Sequence, residues 1–217
     1  MLLKDKDCIV FAGDSITDMG AARPFGVGPG EPLGQGYPRV FDNMLNAFHP
    51  EIRVRTVNAG ISGNTSRDLR ARFETDVIAN EPDVVAIMIG VNDVWRHFDH
   101  PANRDHVSLQ EYEENMRVII ERSLQKGARI LLMTPYIMED NEQDRMRRMM
   151  DDYSAVVRKL AGEYNTMFLD VQQLWVDYIH AGRYSMFLSS DRIHPSAIGA
   201  TLLARAILHT LDITLDN

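Results

Sequence analysis

Cysteine is almost missing from this chain: Cys8 is the single one in 217 residues. An intrachain disulfide is therefore excluded, and no cysteine cluster can hold zinc or an iron–sulfur group. Cys8 stands in the apolar run Cys8-Ile9-Val10-Phe11-Ala12, which suits a buried structural thiol and predicts a reducing, cytoplasmic setting. Long apolar runs are missing too. No stretch approaches the ~18–20 residues of a membrane span, and Lys4-Asp5-Lys6-Asp7 interrupts any signal-peptide pattern near the start. Positive charge is outnumbered and unclustered: the net charge is −8 and no basic run exceeds Arg147-Arg148. Nucleic acid and anionic membranes are accordingly not expected as partners. Histidine numbers only seven, without a His-x-His or Asp-x-His element, a weak donor set for a metal.

What is present is ample apolar content, 45% of residues, enough for a full core in one domain covering residues 1–217. Apolar runs alternate with helical patterns along the whole chain. Strands are expected near 8–12, 53–58, 84–89, 128–133 and 167–169. Helices are expected near 38–48, 66–79, 108–126, 145–164, 171–181 and 196–211. In the 108–126 segment Leu109, Tyr112, Met116, Ile119, Ile120 and Leu124 recur at helical spacing, with Ser108 placed to cap and Gly127 to terminate. Met149, Met150, Tyr153, Val156, Val157, Leu160 and Tyr164 form a second stripe, read as core. Continuous apolar strands alternating with helices predict a three-layer α/β/α sandwich around a parallel sheet. Two stretches, 19–37 and 96–107, read as long irregular loops. Gly26-Val27-Gly28-Pro29-Gly30 within the first superficially resembles a phosphate loop, but it does not join a strand to a helix and Pro29 lacks a donor.

Four short motifs carry chemistry: Gly13-Asp14-Ser15-Ile16-Thr17, Gly60-Ile61-Ser62-Gly63-Asn64-Thr65, Gly90-Val91-Asn92-Asp93 and Asp191-Arg192-Ile193-His194-Pro195. The first three follow expected strands directly, and loops leaving the carboxyl ends of parallel strands share one edge of the sheet. Acyl transfer needs a hydroxyl on an exposed turn beside an imidazole, which Ser15 and His194 can supply. The imidazole needs a carboxylate to fix its tautomer, and Asp191 lies three residues away. A developing oxyanion needs donors, for which the Ser15 and Gly63 backbone N–H groups and the Asn92 amide are candidates. Each residue alone has a plainer reading. Asp14 or Ser15 could cap a helix, Gly63 could serve an unusual backbone, Asn92 a turn, and Asp191 with His194 a surface pair. Together, in this order, they point to a serine-dependent ester hydrolase.

On these blocks the chain resembles the SGNH, or GDSL, hydrolase superfamily, through Ser15, Gly63, Asn92 and the Asp191–His194 pair, from about residue 8 to 205. Further shared stretches make it similar to the intracellular acetylxylan esterases, or xylo-oligosaccharide deacetylases, of that superfamily. These are Ile87-Met88-Ile89-Gly90-Val91-Asn92-Asp93-Val94-Trp95-Arg96, Met133-Thr134-Pro135 and Asn141-Glu142-Gln143-Asp144. The resemblance implies a flavodoxin-like five-stranded parallel sheet, an acyl-serine intermediate, no metal or organic cofactor, a small acetylated sugar as substrate, and a possible homo-oligomer. Trp95 and Asp14 are set as substrate-contacting residues, Trp95 either stacking on a sugar or serving as scaffold. One departure is Ser189-Ser190, where those relatives can carry a bulky aromatic before the aspartate. Alternatives are a broad short-chain esterase or lysophospholipase, a sugar- or nucleotide-binding module without activity, and a metal-dependent phosphoesterase. The last would use Asp14, Asp18, Asn92, Asp93, Asp191 and His194 as ligands.

Overall fold

A computed structural model describes residues 2–23, 31–99 and 106–215. The 26–30 stretch and His100 and Pro101 fall outside the described residues. Five parallel strands form one sheet: β1 (Cys8–Gly13), β2 (Arg55–Gly60), β3 (Val84–Met88), β4 (Arg129–Met133) and β5 (Met167–Leu169), in the order β2-β1-β3-β4-β5. This is the flavodoxin-like order, with the switch point between β1 and β3. Every residue of β1 and β3 is buried, as continuous apolar strands covered on both faces require.

Eight α-helices lie among the described residues: α1 (Ser15–Asp18), α2 (Tyr37–Phe48), α3 (Ser66–Asp76), α4 (Val91–Asp99), α5 (Leu109–Gln125), α6 (Arg145–Tyr164), α7 (Val171–His180) and α8 (Ala197–Thr210). Helices α2 and α8 pack together, and α3, α5 and α6 form a second packed row; with the right-handed crossovers general to parallel sheets, the two groups cover opposite faces. Both expected stripes face the core through Tyr112, Met116, Ile119 and Ile120 on α5 and Met150, Tyr153, Val157 and Leu160 on α6. Leu109 and Leu124, at the two ends of α5, remain exposed. The Ser108 hydroxyl caps α5 by accepting the Glu111 N–H at 3.2 Å. Cys8 is a buried free thiol.

The boundaries differ in three informative places. Strand β2 runs two residues further than expected, because Gly60 pairs alongside Gly13 at the end of β1. Helix α3 stops at Asp76 and tightens into a 3-10 turn at Ile78–Asn80; Glu81 adopts a left-handed conformation before Pro82, where a helix cannot continue. The stretch from 96 was expected to be irregular, yet α4 carries the helix through Asp99. Asn92 and Asp93 thus sit in the first turn of a helix rather than in a free loop.

Candidate active site

Ser15 follows β1 at the start of α1, on the one-residue step made by Asp14. The Asp14 carboxylate turns inward and caps α1, accepting the Ile16 N–H at 3.0 Å. At 1% exposure it is turned into the protein, where the expectation had it as a substrate contact. Among the described residues its other oxygen is buried without a partner. Burial pushes this carboxyl up to about 7, with the nearby Asp93 charge adding to the effect. The buried Asn58 amide holds α1 down by donating to the carbonyls of Thr17 (2.6 Å) and Leu33 (2.8 Å). Ser15 itself stays part-exposed at the carboxyl edge of the sheet.

The turn before α8 reaches this serine. Ser15 Oγ lies 2.8 Å from His194 Nε2, and His194 Nδ1 lies 2.6 Å from Asp191 Oδ2. The other carboxylate oxygen of Asp191 accepts the His194 N–H (2.8 Å), the Ile193 N–H (2.9 Å) and the Ser189 hydroxyl (2.9 Å). Partial burial pushes the Asp191 carboxyl up, but the His194 ring and these donors outweigh it and hold it well below the usual carboxylate range. Asp191 is thus a fixed anion facing Nδ1, which selects the tautomer whose Nε2 is free to accept the Ser15 proton.

On the other side of Ser15 lies the turn after β2. Gly63 has φ +83°, a left-handed backbone that favours glycine. Among the described residues, neither the Ser15 nor the Gly63 N–H donates to a protein acceptor. Asn92 is buried at 3% exposure and one of its amide hydrogens goes to the Asn64 carbonyl at 3.0 Å. Among the described residues the second amide hydrogen has no acceptor. The missing side chain of Gly63 leaves a space bordered by Arg96 Nη2, 3.8 Å from where a Cβ would stand. The Trp95 ring centroid lies 6.2 Å from that of His194. Residues 15, 63, 92, 191 and 194 therefore belong to loops and helix starts gathered at one edge of the sheet.

The chain matches the model of the GDSL-like Lipase/Acylhydrolase family over residues 11–202. It is 49% identical over 206 residues to an acetylxylan esterase of Geobacillus stearothermophilus, covering 94% of this chain and 93% of that protein. The crystal structure of an acetylxylan esterase from the same organism superposes with a TM-score of 0.95 at 45% identity, over 100% of this chain and 99% of that one. An α/β hydrolase from the metagenome of Lake Arreo, Spain, gives a TM-score of 0.95 at 39% identity over 100% of both chains. The chain belongs to the GDSL-like lipase/acylhydrolase family. It is a carboxylic ester hydrolase.

In this acylhydrolase the carboxylates drawn as metal ligands have other work. Asp18 accepts the Ser62 N–H and hydroxyl at 3.0 and 2.7 Å. Asp93 accepts the Ser66 N–H and hydroxyl, and burial pushes it up to about 6. Among the described residues no three His, Cys, Asp or Glu side chains gather where they could share an ion, so the phosphoesterase alternative has no support. No described helix is long and apolar enough to cross a membrane. Sequence reasoning missed what Ser189 does, which is to fasten Asp191, and drew Asp93 only as a metal ligand, whereas it fastens the start of α3 to α4. Neither role carries a spacing signal: Ser189 works within its own turn, two residues from Asp191, and Asp93 acts on Ser66, far away in the chain.

Proposed function

We propose that this acylhydrolase removes acetyl groups from xylo-oligosaccharides through an acetyl-serine intermediate, with Ser15 as nucleophile, His194 as general base and Asp191 as its orienting carboxylate. The observation that carries the reading is the continuous line of hydrogen bonds from Ser15 Oγ through the imidazole to Asp191, at 2.8 and 2.6 Å. Nε2 takes the Ser15 proton as Oγ attacks the acetyl carbonyl carbon; the bond to the sugar oxygen then breaks and that oxygen leaves with the proton. Water next gives a proton to Nε2 as it attacks the acetyl-serine, releasing acetate and restoring Ser15. The transient oxyanion meets the N–H groups of Ser15 and Gly63 and the spare Asn92 amide hydrogen.

The choice of substrate rests on the relatives. Solved variants of the Geobacillus acetylxylan esterase described as catalytic mutants have alanine for a serine, an aspartate and a histidine, the residue types of Ser15, Asp191 and His194. A further variant of it is called an acetyl-xylooligosaccharide esterase. A single domain spanning 1–217 and a reducing, cytoplasmic setting complete the proposal, the latter supported by the lone buried thiol of Cys8. The test is mass spectrometry of an acetylated xylo-oligosaccharide mixture treated with the chain and with Ser15→Ala. Stepwise loss of acetyl masses with the parent alone is expected. Intact oligosaccharides alongside rapid cleavage of long-acyl esters would instead favour a lysophospholipase.

A further inference from the structure

Resting on that reading of the site, we propose that Arg72 is a positioning residue for the oxyanion side of the reaction: its guanidinium clamps the Gly63–Asn64 turn to the ends of β1 and β2, and through Asn64 sets the reach of the Asn92 amide. Arg72 lies in the middle of α3 with its side chain 13% exposed. Its Nε donates to Asn64 Oδ1 at 2.7 Å, Nη1 to the Ala59 carbonyl at 2.9 Å, and Nη2 to the Gly13 carbonyl at 3.0 Å. An ion pair to Asp76 Oδ2 at 3.2 Å, one turn further along the helix, fixes the plane of the group.

The identity of these acceptors carries the argument. Gly13 ends β1 two residues before Ser15, Ala59 is the next-to-last residue of β2, and Asn64 immediately follows Gly63. The Asn64 carbonyl is also the acceptor for the Asn92 amide, at 3.0 Å. One planar group therefore touches the segment leading to the nucleophile and the turn that contains the Gly63 donor and accepts from the Asn92 amide. A guanidinium suits this because its donors spread in a rigid fork toward several acceptors at once. A lysine ammonium carries the same charge on a flexible stem and cannot hold the same spread. A helix needing only an i,i+4 surface pair would be served by Asp76 alone. Arg72 touches neither substrate nor reacting atoms, so its effect runs through Asn64 and Asn92.

The experiment is a double-mutant cycle on the full chain with an aryl acetate, comparing Arg72→Lys, Asn92→Ala and the pair, with thermal melts of each. Arg72→Lys is expected to lower kcat about tenfold or more, because small displacements of positioned groups are costly, with KM changed by no more than about twofold. Asn92→Ala alone belongs to the class that loses on the order of 10²–10³ in turnover. The double variant should fall no more than about threefold below Asn92→Ala, since the clamp has then lost the group through which it acts. Full multiplication of the two losses, or an Arg72→Lys enzyme with parental kcat, overturns the clamp while leaving the site intact. Full activity of Asn92→Ala overturns the reading of the oxyanion donors and the clamp with it. Should Arg72→Lys fail to fold, Asn64→Ala removes only the Nε acceptor. The same drop and the same lack of multiplication are expected of it, and parental activity overturns the proposal.

Discussion

The indole of Trp95 stands 6.2 Å, centroid to centroid, from the imidazole of His194, with the two planes tilted by 55°. Trp95 is part-buried on α4 and packs against the core, so one side supports the fold while the rest borders His194. Trp95→Ala is expected to lose an extra three- to tenfold or so in kcat/KM on an acetylated xylo-oligosaccharide relative to an aryl acetate, the size of one aromatic contact. Parallel kinetics on the two esters decide the matter. Equal losses would assign the ring to scaffolding alone.

The buried carboxyl of Asp14 makes stability depend on pH in an unusual direction. Its value in the fold is about 7 against an ordinary 3.8, chiefly because burial disfavours the charge. Between those values the native chain holds a proton that the unfolded chain has released, so this group's contribution to stability falls as pH rises through that window. Asp14→Asn retains an oxygen for the Ile16 N–H and carries no charge. Its melting temperature relative to the parent should therefore climb between about pH 4 and about pH 8. A difference that stays flat or shrinks across that range would contradict the assignment.

Two glycines beside the site should respond differently to alanine. A Cβ on Gly60 would stand 2.4 Å from the Asp18 nitrogen and 2.8 Å from the Thr17 carbonyl carbon, both backbone atoms of α1. Gly60→Ala is expected to displace α1 and with it Ser15, costing both stability and labelling of the serine by an organophosphonate. Gly63 has room, with its nearest neighbour 3.8 Å away, and alanine there pays mainly for the left-handed backbone, about 1–2 kcal/mol. Circular-dichroism melts should place Gly60→Ala well below Gly63→Ala. The reverse order would show that the close packing of α1 on β2 is not what requires the glycine.

Chelation offers a separate check on the chemistry. With Asp18 occupied by Ser62, Asp93 by Ser66 and Asp191 by His194, prolonged treatment with EDTA should leave esterase activity unchanged. Activity abolished by the chelator and restored by a divalent ion would contradict a serine–histidine mechanism.

The β1 and β3 strands were legible because buried parallel strands need unbroken apolar runs, as in Val84-Val85-Ala86-Ile87-Met88. Ser15, Gly63, Asn92, Asp191 and His194 were legible because each stands in a short motif whose residue types answer a chemical need. The burial of Asp14 was not, since a polar residue beside a nucleophile reads equally well as a cap or as a substrate contact. Helix α4 was hidden by its own composition: Val91-Asn92-Asp93-Val94-Trp95-Arg96 mixes turn formers with apolar residues, and its first turn is secured by Ser66, far away in sequence. Arg72 gave no sign either, because Ser66-Arg67-Asp68-Leu69-Arg70-Ala71-Arg72 reads as a charged, solvated helix face until the fold brings Gly13 and Ala59 to it.

The turn from Ser189 to His194 is tied to itself through Asp191 Oδ1, and the Met138 N–H and Tyr136 hydroxyl fasten it at the carbonyls of Arg192 and Ile193. The imidazole and its carboxylate partner therefore travel as one prefabricated piece. That piece meets Ser15, carried by the sheet, across a 2.8 Å seam between Oγ and Nε2. Remodelling of the outer loops can reshape the mouth of the enzyme without loosening the His194–Asp191 pair, provided that seam stays closed.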